Sequence, residues 1–147
     1  MAVNSSILKK EREMKLDALE TYEQFKQRVE EVKSRIQEYL KKEKEAGRSI
    51  YIYGASTKGN TLLQYLGLDK SLIVAAAERN PAKYGRRTPA TSIPIISEEE
   101  ARKAKPANFI VLPWHFKKEF LEREKEYLNS GGKFIFPLPQ FEVISRT

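Results

Sequence analysis

An apolar run that breaks into small polar residues and resumes as a helix constrains this chain more than any other stretch. Ile50-Tyr51-Ile52-Tyr53 leads into Gly54-Ala55-Ser56-Thr57-Lys58-Gly59-Asn60, and Thr61-Leu62-Leu63 follows. The order reads as strand, tight loop and helix N-terminus. Such a junction points backbone N–H groups and the positive end of a helix dipole at whatever lies above the strand, which favours an anion such as a phosphate. The Gly-Lys-Ser/Thr ending of a P-loop is absent, and Ser56 stands where a dinucleotide fold has its second glycine. The expectation is a phosphate ligand held differently from NAD.

Around this junction, short apolar runs alternate with helical patterns, which argues for an α/β domain with a mostly parallel, Rossmann-like sheet of about five strands. The expected strands cover residues 49–53, 72–77, 93–96, 108–112 and 133–136, with 141–144 as a last candidate. Pro94 removes a ladder donor and puts the third strand near an edge. Helices are expected from about 58 to 66, closed by Gly67, from Ser97, capped with Glu100, to the residues before Pro106, and from 114 to 129. The loop 79–92 carries Pro81, Gly85 and Pro89 and is expected to bend without regular structure.

Before the sheet, Leu19, Tyr22, Phe25, Val29, Val32, Ile36, Tyr39 and Leu40 mark one face of a long helix, expected over 21–46 with Thr21 and Gln24 as a capping box and Gly47 as its stop. Spacings of four and three from Phe25 to Tyr39 would suit a second copy of the helix, making a homodimer conceivable. A helix covering one face of the sheet is the preferred reading. Residues 1–16 show little periodicity and are expected to be a flexible arm, leaving 17–147 as one domain.

The net charge of +7 raises nucleic acid as a partner, so its distribution matters. Residues 1–48 hold 12 basic and 10 acidic side chains, interspersed as on a solvated helix. Only the loop 79–92 is one-sided, with Arg79, Lys83, Arg86 and Arg87 and no acid. Four positives in one loop suit a diphosphate as well as a nucleic-acid backbone. The absence of cysteine excludes disulfides, thiolate metal sites and a cysteine nucleophile, and fits a reducing cytoplasm. With a single His115, an all-histidine metal site is excluded too.

In a doubly wound sheet, ligands bind outside the carboxyl ends of the strands, where strand order reverses. With the order three, two, one, four, five, the loop 54–60 and the loop 113–116 flank that point, and Glu78 and the basic loop lie beside them. Glu78 follows Gly54 by 24 positions, near where a dinucleotide fold keeps its ribose-binding acid. Capping alone would also explain Ser56, Thr57 and Asn60. Their clustering with Lys58 and with an acid at the next strand end favours a phosphate or nucleotide site. His115 has no carboxylate partner in the pattern and makes no catalytic unit by itself.

Several separate motifs carry a resemblance. Gly-Ala-Ser-Thr-Lys-Gly-Asn-Thr-Leu-Leu-Gln-Tyr at 54–65, Arg-Asn-Pro-Ala-Lys-Tyr-Gly-Arg at 79–86, Leu-Pro-Trp-His-Phe at 112–116 and Gly-Gly-Lys-Phe-Ile-Phe-Pro-Leu-Pro at 131–139 resemble the C-terminal domain of the sugar C-methyltransferases. That resemblance implies a three-part enzyme: a zinc-binding domain, a middle domain for S-adenosylmethionine (SAM), and this Rossmann-like domain, which holds the nucleotide of a nucleotide-linked deoxy-keto-sugar. The first two are expected to lie outside this chain, separately encoded or deleted. It would then bind no cofactor and no metal, carry no catalytic residue and be inactive alone. By resemblance, Ser56, Thr57, Lys58, Gly59 and Asn60 would cradle the diphosphate. Glu78 and Asn80 would meet hydroxyl groups of the sugar or base, Lys83 and Arg86 would support phosphate, and His115 would line the crevice. Ala90 stands where the family pattern has Gly, and since Ala enters positive φ less freely, the loop 88–92 is expected to be reshaped. Two other classes remain beside this one. An NAD-type module is disfavoured by Ser56. A nucleic-acid module is disfavoured because Tyr84 is the only aromatic among the loop's positives.

Overall fold

The structure, a computed structural model, describes residues 2–146, with side chains from Ser5 onward. Two helices, α1 (Ala2–Glu13) and α2 (Leu19–Glu45), precede the sheet. The chain then alternates through β1 (Ile50–Tyr53), α3 (Thr57–Leu66), β2 (Ala76–Glu78), β3 (Ile95–Ser97), α4 (Glu98–Lys103) and β4 (Asn108–Val111). It closes with α5 (Lys117–Arg123), α6 (Lys125–Asn129), β5 (Lys133–Phe136) and β6 (Glu142–Ser145). The strands form one six-stranded sheet in the order β3-β2-β1-β4-β5-β6, all parallel except the last, which runs against β5. β1 lies between β2 and β4, so chain order reverses on either side of it.

Residue alternation along β1 explains both faces of the sheet. Ile50 and Ile52 point to one side, where they join Ile36 and Leu40 of α2 and Leu63 and Leu66 of α3 in a buried cluster. Tyr53 points to the other, with Phe109, Val111, Phe134 and Phe136, covered by Ala101 of α4 and Leu128 of α6. β3 is one of the two edge strands, and Pro94 stands directly before it, accepting from the Ala76 amide. The capping box of α4 forms as its sequence signals, with Ser97 Oγ accepting from the Glu100 amide and the Glu100 carboxylate accepting from the Ser97 amide.

Several expectations change. Residues expected to form an arm are helical over Ala2–Glu13. Its Lys10 and Arg12 in the last turn suit the helix dipole, a source of helicity that periodicity does not register. The chain divides into compact units Met1–Ser34 and Arg35–Thr147. α2 starts at Leu19, and Thr21 makes no capping box with Gln24. Its hydroxyl donates to the Lys15 carbonyl at 2.8 Å instead, while the Gln24 amide reaches Glu20. β2 begins later than residue 72, although Val74 and Ala75 already exchange bonds with Ile50 and Ile52. The basic loop contains a short 3-10 turn, Pro81–Lys83.

The helix expected over 114–129 is broken into a 3-10 turn, Trp114–Phe116, followed by α5 and α6. The break falls at Glu124, whose φ of −104° and ψ of 29° leave helical geometry. Its carboxylate turns inward to Tyr53, Arg102 and Arg123. A glutamate reads as a strong helix former, so the tertiary bonds override local propensity here.

Candidate functional site

The turn after β1 is built by two glycines and a cap. Gly54 has φ +88°, and a Cβ there would stand 3.1 Å from Pro113 Cδ, so the end of β1 and the loop after β4 approach closely only because the side chain is absent. Ser56, in extended conformation, accepts from the Gly59 amide at 3.0 Å and caps α3. A Cβ on Gly59 would meet Leu112 Cδ1 at 2.6 Å, so this glycine lets α3 pack on the end of β4. Thr57 and Lys58 are exposed, and first-turn amides lie beyond the reach of helical carbonyls. Asn60 Oδ1 is buried without a hydrogen-bond partner among the described residues.

The carboxyl end of β2 is drawn to the same turn. Glu78 Oε1 accepts from the Arg79 and Asn80 amides at 2.9 and 3.1 Å, and its Oε2 accepts from Lys83 Nζ at 2.9 Å. The same ammonium donates to the Ala55 carbonyl at 2.9 Å. Burial alone would raise the Glu78 pKa, but Lys83 and the two amides together hold it below the usual carboxylate value. Lys83 thus ties the two loops together. Asn80 caps the 3-10 turn, its Oδ1 accepting from the Ala82 amide. Arg86 is exposed. Ala90 keeps φ at +62° and Ser92 at +54°, so the loop retains the left-handed turn at Ala90 instead of losing it. The Thr88 and Thr91 hydroxyls, 2.6 Å apart and buried, hold it, with Thr88 also accepting from the Ile93 amide.

Beside this cluster an open cleft of about 370 Å³ runs over the ends of β1, β2 and β4. Tyr53 and Gly54 line it at β1 and Glu78 and Arg79 at β2, while Phe116, Phe120 and Arg123 line it at the chain after β4. Of the residues expected from sequence, Glu78 alone lines it. His115 is exposed, its ring 4.4 Å from that of Phe116, and is not among the lining residues. The aromatic and arginine wall escaped the sequence reading. Phe116 and Phe120 fall on the apolar stripe of a helix, and Arg123 meets Tyr53 across 70 positions.

One wall of the cleft is fixed by a buried network. Arg102 and Arg123 both donate to the Tyr53 hydroxyl, at 2.8 and 2.9 Å, and that hydroxyl donates to Glu124 Oε1 at 2.7 Å. Burial, then the adjacent Glu124 carboxylate, push the phenol's pKa well above its usual value, so Tyr53 stays neutral. Arg123 lies over the rings of Tyr53 and Phe120, 5.4 and 5.0 Å from their centroids. Its guanidinium is held from three sides and needs little reordering to meet a ligand. Among the described residues no group of three His, Asp or Glu could hold a metal ion, and no helix is long and apolar enough to cross a membrane.

Comparison with known proteins completes the picture. Residues 2–139 match the family model described as the C-methyltransferase C-terminal domain. The chain is similar to C-methyltransferase NovU of Streptomyces niveus, with 35% identity over 141 residues, 96% of this chain and 34% of that protein. It therefore spans about a third of the length of this curated relative.

Proposed function

Given that the chain belongs to the family of C-methyltransferase C-terminal domains, we propose that it holds the acceptor substrate of such an enzyme, a sugar linked to a nucleoside diphosphate. The methyl donor in this reading is SAM, bound by another part of the enzyme.

The observation that carries this reading is the meeting of three features where the sheet order reverses: the first turn of α3, the Glu78–Lys83 pair and the cleft behind Gly54. A diphosphate against Thr57 and Lys58 meets amides outside the helical ladder, the positive end of the α3 dipole and the Lys58 ammonium. Ser56 and Gly59 shape that turn, and Asn60 follows directly behind it. Glu78, ionised and facing the cleft, accepts from a sugar hydroxyl. Asn80, Arg86 and His115 stand exposed around the site, where they meet the outer parts of the ligand.

Holding the sugar in one orientation removes translational and rotational freedom before the chemistry, which contributes to rate without any catalytic group on this chain. In the transfer itself, a base elsewhere in the enzyme takes the proton beside the sugar ketone. The enolate carbon then bonds to the methyl carbon as the carbon–sulfur bond of the donor breaks.

The test is a thermal-shift series with UDP, dTDP, GDP, NAD, SAM and a short RNA. Nucleoside diphosphates are expected to raise the Tm, by the equivalent of about 2.7 kcal/mol at about 100 times the Kd. The Lys58→Ala, Asn60→Ala double variant is expected to lose most of that response. Stabilisation by NAD or RNA alone would sink the proposal.

A further inference from the structure

The first compact unit, Met1–Ser34, has no buried side chain among the described residues 5–34. It contains the first half of α2, where Leu19, Tyr22 and Phe25 are 72%, 53% and 59% exposed. Tyr22, Phe25, Val29 and Val32 follow one another at spacings of three, four and three, which puts them on one helix face. Helices in proteins are stabilised mainly by packing such a face against another element. The face is also ordered in advance. The Tyr22 hydroxyl donates to the Leu16 carbonyl at 2.6 Å, and the Arg28 guanidinium lies over the Phe25 ring, 5.9 Å from its centroid. Both rings therefore need little further ordering on contact.

The charges beside the stripe are of one sign. At about 100° per residue, Lys26 and Lys33 border it on one flank and Arg28 on the other. Glu20, Glu23, Glu30 and Glu31 lie farther round the helix, where the Gln24 and Gln27 amides donate to Glu20 and Glu31 at 3.1 and 3.3 Å. This arrangement separates three candidate occupants. A second copy of the face would set Lys26, Arg28 and Lys33 against the same cations, whichever way the helices ran. An anionic membrane draws helices whose polar face is rich in Lys and Arg. This polar face carries four glutamates, and residues 1–34 hold seven basic and seven acidic side chains, with no net charge to attract them to such a surface. A helix with a matching apolar stripe flanked by carboxylates satisfies both the rings and the rim.

We propose that residues 19–33 of α2 dock an amphipathic helix of a partner protein. Its apolar stripe packs on Tyr22, Phe25, Val29 and Val32, and its Asp or Glu side chains meet Lys26, Arg28 and Lys33. This goes beyond the nucleotide-sugar reading and does not depend on it, since no residue lining the cleft takes part. The rings supply the burial and the three cations select the partner, because rim charges act on specificity and association rate more than on affinity.

Two labelled synthetic helices with the same leucine stripe, one flanked by Glu and one by Lys, are titrated with the whole chain at low salt and followed by fluorescence anisotropy. The Glu-flanked helix is expected to bind about tenfold tighter, the scale of a few surface ion pairs set against as many like-charge contacts. The triple variant Lys26→Glu, Arg28→Glu, Lys33→Glu is expected to invert that preference. Phe25→Ala is expected to weaken both helices about tenfold, with the urea midpoint and UDP binding unchanged. If the parent binds the two helices equally, or binds neither, the rim selects nothing and the inference fails. A parent that dimerises in sedimentation equilibrium, beside a Phe25→Ala variant that does not, would assign the face to a second copy instead. Binding to phosphatidylserine vesicles that the triple variant loses would assign it to a membrane and likewise overturn the proposal.

Discussion

Glu43, under the amino ends of β4 and β5, and Glu124, beside the carboxyl end of β1, are both carboxylates exposed by less than a tenth, and each is bonded by two basic side chains. Their surroundings differ. Glu43 accepts from Arg48, Lys133 and the amide of Asn108, which is itself fully buried. These partners join α2 to the region where β1, β4 and β5 begin. Glu124 accepts instead from a phenol and two guanidiniums, and one of these, Arg123, forms the wall of an open cleft. The same chemistry thus serves as a clamp at one end of the sheet and as a support for a cleft wall at the other. The open end is where a parallel sheet turns its loops outward at the strand order's reversal.

The comparison breaks most visibly by deleting the carboxylates. Glu43→Ala leaves the buried Asn108 amide without its acceptor and two cations without their counter-charge, and is expected to destabilise by about 3 kcal/mol in urea unfolding, with ligand affinity unchanged. Glu124→Ala is expected to lose about 2 kcal/mol, less because the Tyr53 hydroxyl keeps its bonds to Arg102 and Arg123 whereas the buried Asn108 amide keeps none of its Glu43 bond. Unlike the Glu43 variant, it should also weaken UDP binding, since Arg123 is no longer held. Equal effects on affinity from both variants would erase the distinction between the two ends.

Protonation probes the same pair without mutation. Burial alone would raise both pKa values, but the hydrogen-bonded cations and, for each, a neutral partner hold them below the ordinary carboxylate value. A depressed folded-state pKa contributes stability that is complete above the unfolded-chain value of about 4.3 and is lost as pH falls through the lower folded-state value. The urea midpoint should therefore fall on acidification below about pH 4.3. Glu43→Gln and Glu124→Gln should each flatten part of that fall. A parental midpoint unchanged down to pH 3 would contradict it.

Smaller changes sharpen the contrast. Tyr53→Phe removes the hydroxyl shared by Arg102, Arg123 and Glu124 and is expected to lose about 1 kcal/mol, again with weaker nucleotide binding. Ala90→Gly lies away from both networks and relieves a left-handed alanine. It is expected to raise stability by less than about 1 kcal/mol, because the glycine also frees the unfolded chain.

Much of the fold was legible because its signals are local. The apolar run Ile50-Tyr51-Ile52-Tyr53 marked β1, Pro94 put its strand near an edge, and Ser56 and Ser97 marked helix starts that form as written. The turn after β1 was legible for the same reason, since cap, glycine and lysine lie within a few positions. The cleft wall was not. Phe116 and Phe120 look like core on an amphipathic stripe, and the exposure of Phe116 follows from how the broken helix leaves the sheet. Lys83 read as one of four positives in a basic loop, and only the approach of β1 and β2 gave it the Ala55 carbonyl and Glu78 as partners.

By itself, then, the sequence determined the succession of strands and helices, the position of the turn after β1 and the family resemblance, all of which rest on periodicity and on residues within a turn of one another. The tertiary structure decided which charges clamp elements together and which line the cleft. Tyr53 and Glu124 are 71 positions apart, and Glu43 and Lys133 are 90. Whether such a carboxylate clamps a helix or supports a cleft depends on which loops the sheet brings to its side, and no local pattern encodes that.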